Sequence, residues 1–469
     1  MEKQLPKNWV ETSPKEISKL LRGVSYGKTD AYQEEFENSC LILRGGNIQD
    51  GKIVDGNDNI YVDLSLIKED QLLQEADVVI VGSTGSKQLI GKAATSLKSF
   101  ENVSFGAFLM AIRANENLNK WFFSYYFQTD FYRESIRNLA GGVNINNIRK
   151  EYIENLYFPL PPLAEQNRIV AKLDTLFAQL ETIKTSMAKV PLLLKDFRQQ
   201  VLTQAVTGKL TEEWRKGREL EEWELKKIDE ISDSLSGFAF KSSDFVETGI
   251  QLIRMGNLYN NRLDLNRNPV FLPVEYDNKI IEKYSLKKND ILLSLTGTKY
   301  KRDYGFAIKI ETEEKLLLNQ RIIALRPKID VDYFLYLLRD NLFRDQFFSY
   351  ETGGVNQGNV GTKAVLSIKL QIPPLEEQHE IVSRVESLFA KADAIEKQYE
   401  ILKAKIESLP QAILHKAFKG ELTQQLDSDG DARELLREIE GLQSSTGKTV
   451  KSKTNKTATK NVKSYSEQD

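Results

Sequence analysis

The sequence predicts an α+β protein written twice: two α/β heads separated by two long helical regions that pair as an antiparallel coiled coil, with a pseudo-twofold internal repeat. Three observations predict it. Four motifs recur at one constant spacing. Each copy contains an apolar stripe stepping by three and four residues. The segments outside the stripes mix short β-like runs with helical patterns.

The repeat sets the domain order. GGVNINN at 141–147 returns as GGVNQGN at 353–359, and PLPPLAEQ at 159–166 as QIPPLEEQ at 371–378. IVAKLDTLFA at 169–178 returns as IVSRVESLFA at 381–390, and VTGKLT at 206–211 as FKGELT at 418–423. All four pairs are offset by 212 residues, which chance does not maintain. Upstream the match is weaker: Trp9, Ile17, Leu21 and Gly23 correspond to Trp223, Ile231, Leu235 and Gly237 at an offset of 214. LRGGNI at 43–48 resembles IRMGNL at 253–258, and Asp77 before VVIVGSTG resembles Asp290 before ILLSLTG. The expected order is a head at 1–158, a central helical region at 159–214, a second head at 215–370, a C-terminal helical region at 371–426 and a partly disordered, Lys-rich tail at 427–469.

In the first stripe the apolar residues are Ile169, Leu173, Leu176, Leu180, Ile183, Met187, Val190, Leu194, Phe197 and Val201. The second runs Ile381, Val385, Leu388, Ala392, Ile395, Tyr399, Leu402, Ile406, Leu409 and Ile413 in the same register. This alternation is the period of a coiled-coil seam. Two equivalent stripes in one chain favour pairing with each other over packing of each helix on its own head. At ~1.5 Å per residue, 169–201 would span about 50 Å. Pro161–Pro162 and Pro373–Pro374 precede the helices, where a missing N–H is tolerated, and Gly208 and Gly420 are natural stops. Pro191 and Pro410 fall inside the stripes and should kink or interrupt them.

In the heads, 76–83 and 289–296 read as strands running into Gly/Ser/Thr turns. The aromatic segments 121–140 and 333–350 read as one helix each, with the aromatics in the core. Polar residues at strand ends and in glycine-rich turns are the binding candidates, because loops on a rigid scaffold carry recognition. In the first head these are Arg44, Asn47, Ser83, Thr84, Gly85, Ser86, Lys87, Asn144, Asn146 and Asn147. In the second they are Arg254, Asn257, Thr296, Thr298, Lys299, Tyr300, Lys301, Arg302, Asn356, Gln357 and Asn359. Arg and Lys pair with guanine or phosphate, and Asn and Gln pair bidentately with adenine. Lys299, Lys301 and Arg302 form the densest basic cluster in either head.

Composition narrows the function classes. The 469 residues allow two to four domains, and 41% are hydrophobic. The net charge of -2 excludes a uniformly basic DNA coat while leaving room for local patches. Cys40 is the one cysteine, so no intramolecular disulfide or ordinary zinc site is available. The N-terminal residues carry no apolar signal core, and no apolar run is long enough to span a bilayer, so a cytoplasmic protein is expected. No catalytic constellation or metal site is expected. His379 and His415, the only histidines, read as solvated helix positions. Gly447-Lys448-Thr449 lacks the first glycine of a phosphate loop, with leucine at 442, and no Asp/Asn-Pro-Pro-aromatic methyltransferase motif occurs. The stretch 444–463 has six lysines and no acid, a composition that predicts disorder and weak phosphate attraction or simple solubilisation.

PLPPLAEQ, IVAKLDTLFA and AVTGKLTEEW resemble the central conserved region of the specificity (S) subunits of type I restriction–modification systems. The second copy resembles their C-terminal conserved region, and LPKNWV, RGVSYGK, NIQDGK, SFGAF and GGVNINNI resemble their first recognition domain. The match covers nearly the whole chain and is strongest to the K-type branch; the second recognition domain matches least. The resemblance implies a non-catalytic, DNA-binding component of a defence against foreign DNA. Each head would be a target recognition domain reading half of a split, asymmetric site. The helices would set the gap and dock two methyltransferase subunits, which two motor–nuclease subunits would join. Double-stranded DNA would be the ligand. S-adenosylmethionine, ATP and Mg would be bound by the partner subunits, with none in this chain. The alternatives are an orphan or swappable specificity subunit, a self-contained DNA-modifying enzyme, and a scaffold whose heads bind protein or sugar.

Overall fold

The computed structural model describes residues 5–441, apart from 55, 57, 58, 87, 140–145 and 355. It forms two compact units: Met1–Thr185 with Lys403–Asp469, and Ser186–Leu402. The C-terminal helical region is therefore shared between units, and its last part belongs with the first head. Among the described residues, no helix is long and apolar enough to cross a membrane.

In the first unit a six-stranded sheet runs in the order Ser18–Arg22, Leu109–Ala114, Val78–Val81, Ala93–Thr95, Gly51–Ile53, Ile48–Gln49. A second sheet places Ser39–Leu43 between Val103–Phe105 and Ile60–Asp63. Val78–Val81 is buried at all four positions, which explains its unbroken apolar run. Asp77, just before it, is buried and takes a bidentate pair from Arg113 at 2.7 and 2.6 Å.

The second unit repeats this plan. Ser232–Ser236, Ile322–Pro327, Ile291–Ser294 and Ala307–Lys309 form one sheet, and Ile250–Ile253 lies between Phe271–Leu272 and Leu316–Leu318 in another. Asp290 repeats the role of Asp77, pairing with Arg326 at 3.0 and 3.3 Å.

Each expected aromatic helix is two. Lys120–Tyr126 and Asp130–Leu139 are separated at Phe127–Thr129, and Val331–Arg339 and Asn341–Ser349 at Asp340. The reason is capping: Thr129 Oγ1 accepts from Tyr132 N–H at 3.1 Å, and buried Asp340 accepts from Leu342 N–H at 2.8 Å. The aromatics are core, with Phe122, Phe123, Tyr126, Phe127 and Phe158 all buried.

The repeated Pro-Pro-Leu-x-Glu-Gln motif has a structural explanation in both units. Gln166 Nε2 donates to Pro161 O at 2.8 Å and its Oε1 accepts from Asn119 N–H at 3.0 Å. Gln378 does the same with Pro373 O and Asp330 N–H, at 2.8 and 2.9 Å. Buried Glu165 accepts from Trp9 Nε1 at 2.8 Å, and buried Glu377 from Trp223 Nε1 at 2.9 Å. Each tryptophan also packs on a glycine at a helix end. A Cβ on Gly420 would lie 3.3 Å from the Trp9 ring, and one on Gly208 would lie 3.2 Å from the Trp223 ring. Both glycines have positive φ, +73° and +76°, as a helix stop requires.

Within each unit the helical regions pair antiparallel. In the first, Glu165 meets Thr423 at 3.4 Å and Arg168 pairs with Asp429 at 2.5 Å, while Leu180 lines a cleft with Pro410 and Leu414. In the second, Arg198 bridges Asp393 and Glu396, both at 2.7 Å, and Arg384 reaches Leu210 O at 2.9 Å. The two prolines act differently. Pro191 opens a new helix, Val190–Val206, after Leu163–Met187 has ended; Pro410 lies inside the continuous helix Leu375–Phe418.

The seam is narrower than the stripes. Ile169, Leu173, Leu180, Ile381, Val385 and Ala392 are buried, and Leu176 and Leu388 are half-buried. Ile183 and Ile395, expected in the seam, are 45% and 53% exposed. Farther along the stripes Leu194, Val201 and Ile406 are buried again, so burial at each stripe position is set by what stands opposite it and not by the count alone. Ile169 and Leu173 also belong to the first head's core, so both packing modes coexist.

Residues 432–441 are helical, with Ala432, Leu435 and Ile439 buried against the first unit's core. The expected tail from 427 therefore begins with ordered structure; its Lys-rich part, 444–463, lies outside the described residues.

Candidate nucleic-acid interface

In both heads the turn after the central strand meets the residues that follow the Gly-Gly-Val-Asn motif through a miniature antiparallel sheet. Thr84 pairs with Asn146 and Ser83 with Asn147 in the first head. Thr296 pairs with Asn359 and Gly297 with Gly358 in the second. Segments more than fifty residues apart in sequence thus become one surface. Gly85 and Asn147 are exposed there, and Ser83, Thr84 and Ser86 are half-buried. Lys87 and Asn144 lie outside the described residues, as does the side chain of Asn146.

In the second head Tyr300, Lys301, Arg302, Asn356 and Gln357 are exposed, and Thr298, Lys299 and Asn359 half-buried. Thr296 is buried and contributes backbone pairing. Tyr300 is 80% exposed, an unusual position for a large aromatic. Tyr300 and Arg302 have φ of +66° and +52°, in the left-handed region that non-glycine residues avoid. Such strain persists only where surrounding contacts impose it. Here Thr298 N–H donates to Asp303 Oδ1 at 2.7 Å, and Lys299 Nζ donates to Gly353 O at 3.0 Å. The basic cluster is partly engaged: Arg302 pairs with Asp345 at 2.7 Å, and Lys299 lies 5.0 Å from the Tyr300 ring centroid. Both partners of the Arg302 pair are about half exposed, so that pair contributes little and can exchange for phosphate.

Besides Thr296, two predicted residues are corrected. Asn47 and Asn257 are buried, not presented. Asn47 accepts from Arg44 N–H at 2.8 Å and donates to Val54 O at 3.0 Å. Asn257 accepts from Arg254 N–H at 2.9 Å and donates to Asp264 O and Arg267 O, both at 3.0 Å. A buried amide bonded to the backbone on both its oxygen and its nitrogen holds its turn. Arg44 is exposed and Arg254 half-buried, on turns separate from the paired segments.

Sequence reasoning missed the residues that hold the turns. Arg133 donates to Ile90 O at 2.6 Å and Gln88 O at 3.0 Å. Arg344 donates to Gly305 O at 2.6 Å, Arg302 O at 3.0 Å and Tyr304 O at 3.1 Å. Burial lowers the pKa of both guanidiniums from the usual value. Their near-matched place before the repeated Gly-Gly is the signal that could have found them. Among the described residues, no group of three or more His, Cys, Asp and Glu side chains is gathered as a metal would need. His379 and His415 both lie on Leu375–Phe418.

Two copies of one mixed α/β head, each offering a differently furnished polar turn and each joined to paired helices, define a two-headed recognition protein. Residues 6–192 and 220–407 match the model of the type I restriction modification DNA specificity domain. The chain is 34% identical over 443 residues to the type I restriction enzyme StySPI specificity subunit of Salmonella potsdam, covering 90% of this chain and 91% of that protein. It is 33% identical over 465 residues to the EcoKI specificity subunit of Escherichia coli K12, covering 95% and 97%. The crystal structure of the HsdS subunit from Thermoanaerobacter tengcongensis shares the fold, with a TM-score of 0.60 at 18% identity over 89% of this chain and 98% of that one. The chain belongs to the family of type I restriction–modification specificity subunits, and its part is sequence specificity, not catalysis.

Proposed function

We propose that each head of this chain reads one half of a bipartite, asymmetric site in double-stranded DNA. The helical regions set the gap and dock two methyltransferase subunits, and two motor–nuclease subunits complete the complex. S-adenosylmethionine, ATP and Mg are bound by those partners, and the complex works in the cytoplasm on DNA. The observation that carries this reading is the repeated turn-to-turn pairing furnished differently in each head. Ser83, Thr84 and Asn147 stand where the second head has Thr296, Gly297 and Asn359, extended by Lys299, Tyr300, Lys301 and Arg302. Similar frames with unlike side chains suit two unlike half-sites.

Methylome sequencing of the host with and without the gene tests it. A bipartite methylated-adenine motif should vanish on deletion. Exchanging 1–158 for the same segment of a relative should change one half of that motif; a change in both halves refutes the two-headed reading.

A further inference from the structure

We infer that Glu351 is a positioning residue that presets the basic turn at 298–302 for DNA in the second head; the inference rests on reading that turn as a DNA contact. Glu351 lies under the turn and grips it at two points. Its Oε1 accepts from the Tyr304 hydroxyl at 2.7 Å and its Oε2 from Tyr300 N–H at 3.4 Å. The first donor follows the turn and the second sits within it, so one carboxylate spans the strained stretch that includes Tyr300 and Arg302. Arg344 closes the other side through Arg302 O and Tyr304 O.

The surroundings leave Glu351 little alternative. A Cβ on Gly358 would lie 2.4 Å from Glu351 Oε1 and 2.8 Å from Tyr304 Oη. One on Gly297 would lie 2.6 Å from both Asp303 Oδ1 and the Tyr304 ring. These two glycines are what lets the carboxylate, the phenol and the turn share one place. Burial and the bond to Glu351 both raise the Tyr304 pKa, so the phenol stays a donor.

Among the described residues of the first head, no carboxylate is hydrogen-bonded to the corresponding turn. The 212-residue offset puts Leu139 at the position of Glu351, and Leu139 is exposed. Its turn is shorter and is gripped by Arg133 through Ile90 O and Gln88 O.

A carboxylate beneath Lys299, Lys301 and Arg302 has two effects of opposite sign. It subtracts from the positive field that attracts phosphates without regard to sequence. It also removes conformations the turn would otherwise have to give up on binding, which favours the one arrangement that fits the right bases. Loss of Glu351 should therefore lower discrimination without lowering non-specific affinity. A merely structural residue would lower both.

The test uses the full chain and three duplexes built on the host's methylated motif: intact, scrambled in the half read by the first head, and scrambled in the half read by the second. Affinity is measured across a salt series. Glu351→Ala should cut discrimination at the second half about tenfold, leave the first half unchanged, and leave binding to scrambled DNA equal or tighter. Glu351→Gln, whose amide oxygen can accept from Tyr300 N–H while its NH2 donates to the Tyr304 phenol oxygen, should retain most of the discrimination. Tyr304→Phe should give a smaller loss of the same kind. Wild-type discrimination in Glu351→Ala overturns the inference. So does a parallel loss of specific and non-specific binding with Tyr304→Phe unchanged. If Lys301→Ala and Arg302→Ala leave affinity and its salt dependence untouched, the turn is not a DNA contact, and the role of Glu351 falls with it.

Discussion

Replacing Glu377 by alanine should loosen the second unit far more than the matching change loosens the first. Glu377 is fully buried and serves three donors: Trp223 Nε1 at 2.9 Å, Thr211 Oγ1 at 2.6 Å and the Arg215 guanidinium. Alanine leaves a largely buried cation and two further donors without their acceptor. Breaking one side of a buried ion pair costs about 3–5 kcal/mol. Glu165, its counterpart, is equally buried but holds only Trp9 Nε1 and, at 3.4 Å, Thr423 Oγ1. Losing the acceptor of neutral donors costs about 1–3 kcal/mol. Peptide-resolved hydrogen exchange separates the units. At ~1.4 kcal/mol per tenfold, Glu377→Ala should speed exchange in Glu224–Lys227 and Lys369–Ile372 about a hundredfold or more. Strands Val10–Thr12 and Phe158–Leu160 should be unaffected, and Glu165→Ala should reverse the pattern at smaller size. Less than a tenfold change in Glu377→Ala, or equal effects of the two variants, would refute the argument from the buried charge.

Asn257→Ala should destabilise the second head by about 2 kcal/mol through orphaned buried groups, read by urea denaturation, while Arg254→Ala stays within ~0.5 kcal/mol. Lys301→Ala should weaken DNA binding alike on all sequences and reduce the slope of log affinity against log salt by about one. Burial raises the Glu165 pKa above its ordinary 4.5, so the folded state holds that proton more tightly than the unfolded state. Its contribution to stability should then grow as pH falls through the raised value towards 4.5, and Glu165→Gln should flatten that part of the pH–stability curve. Burial pushes the Cys40 thiol up to about 12, so a thiol reagent should label it only on unfolding.

The duplication, the helical regions and their common register were legible in the sequence, because a fixed offset and a 3–4 step survive as spacing alone. Helix stops at Gly208 and Gly420 and the strand before each turn were legible for the same reason: local backbone preference is written in residue type. Tertiary structure decided the rest. Asn47 and Asn257 face inward because the nearest unsatisfied groups were backbone amides and carbonyls, a fact of folded geometry that residue type does not carry. Ile183 and Ile395 leave the seam because burial depends on what stands opposite. Glu351 and Arg344 gained their place beside the turn only when segments some fifty residues apart were brought into contact. Periodicity and turn chemistry are local and can be read along the chain; the partners of a polar side chain are set by the closing of long loops, and these only folding reveals.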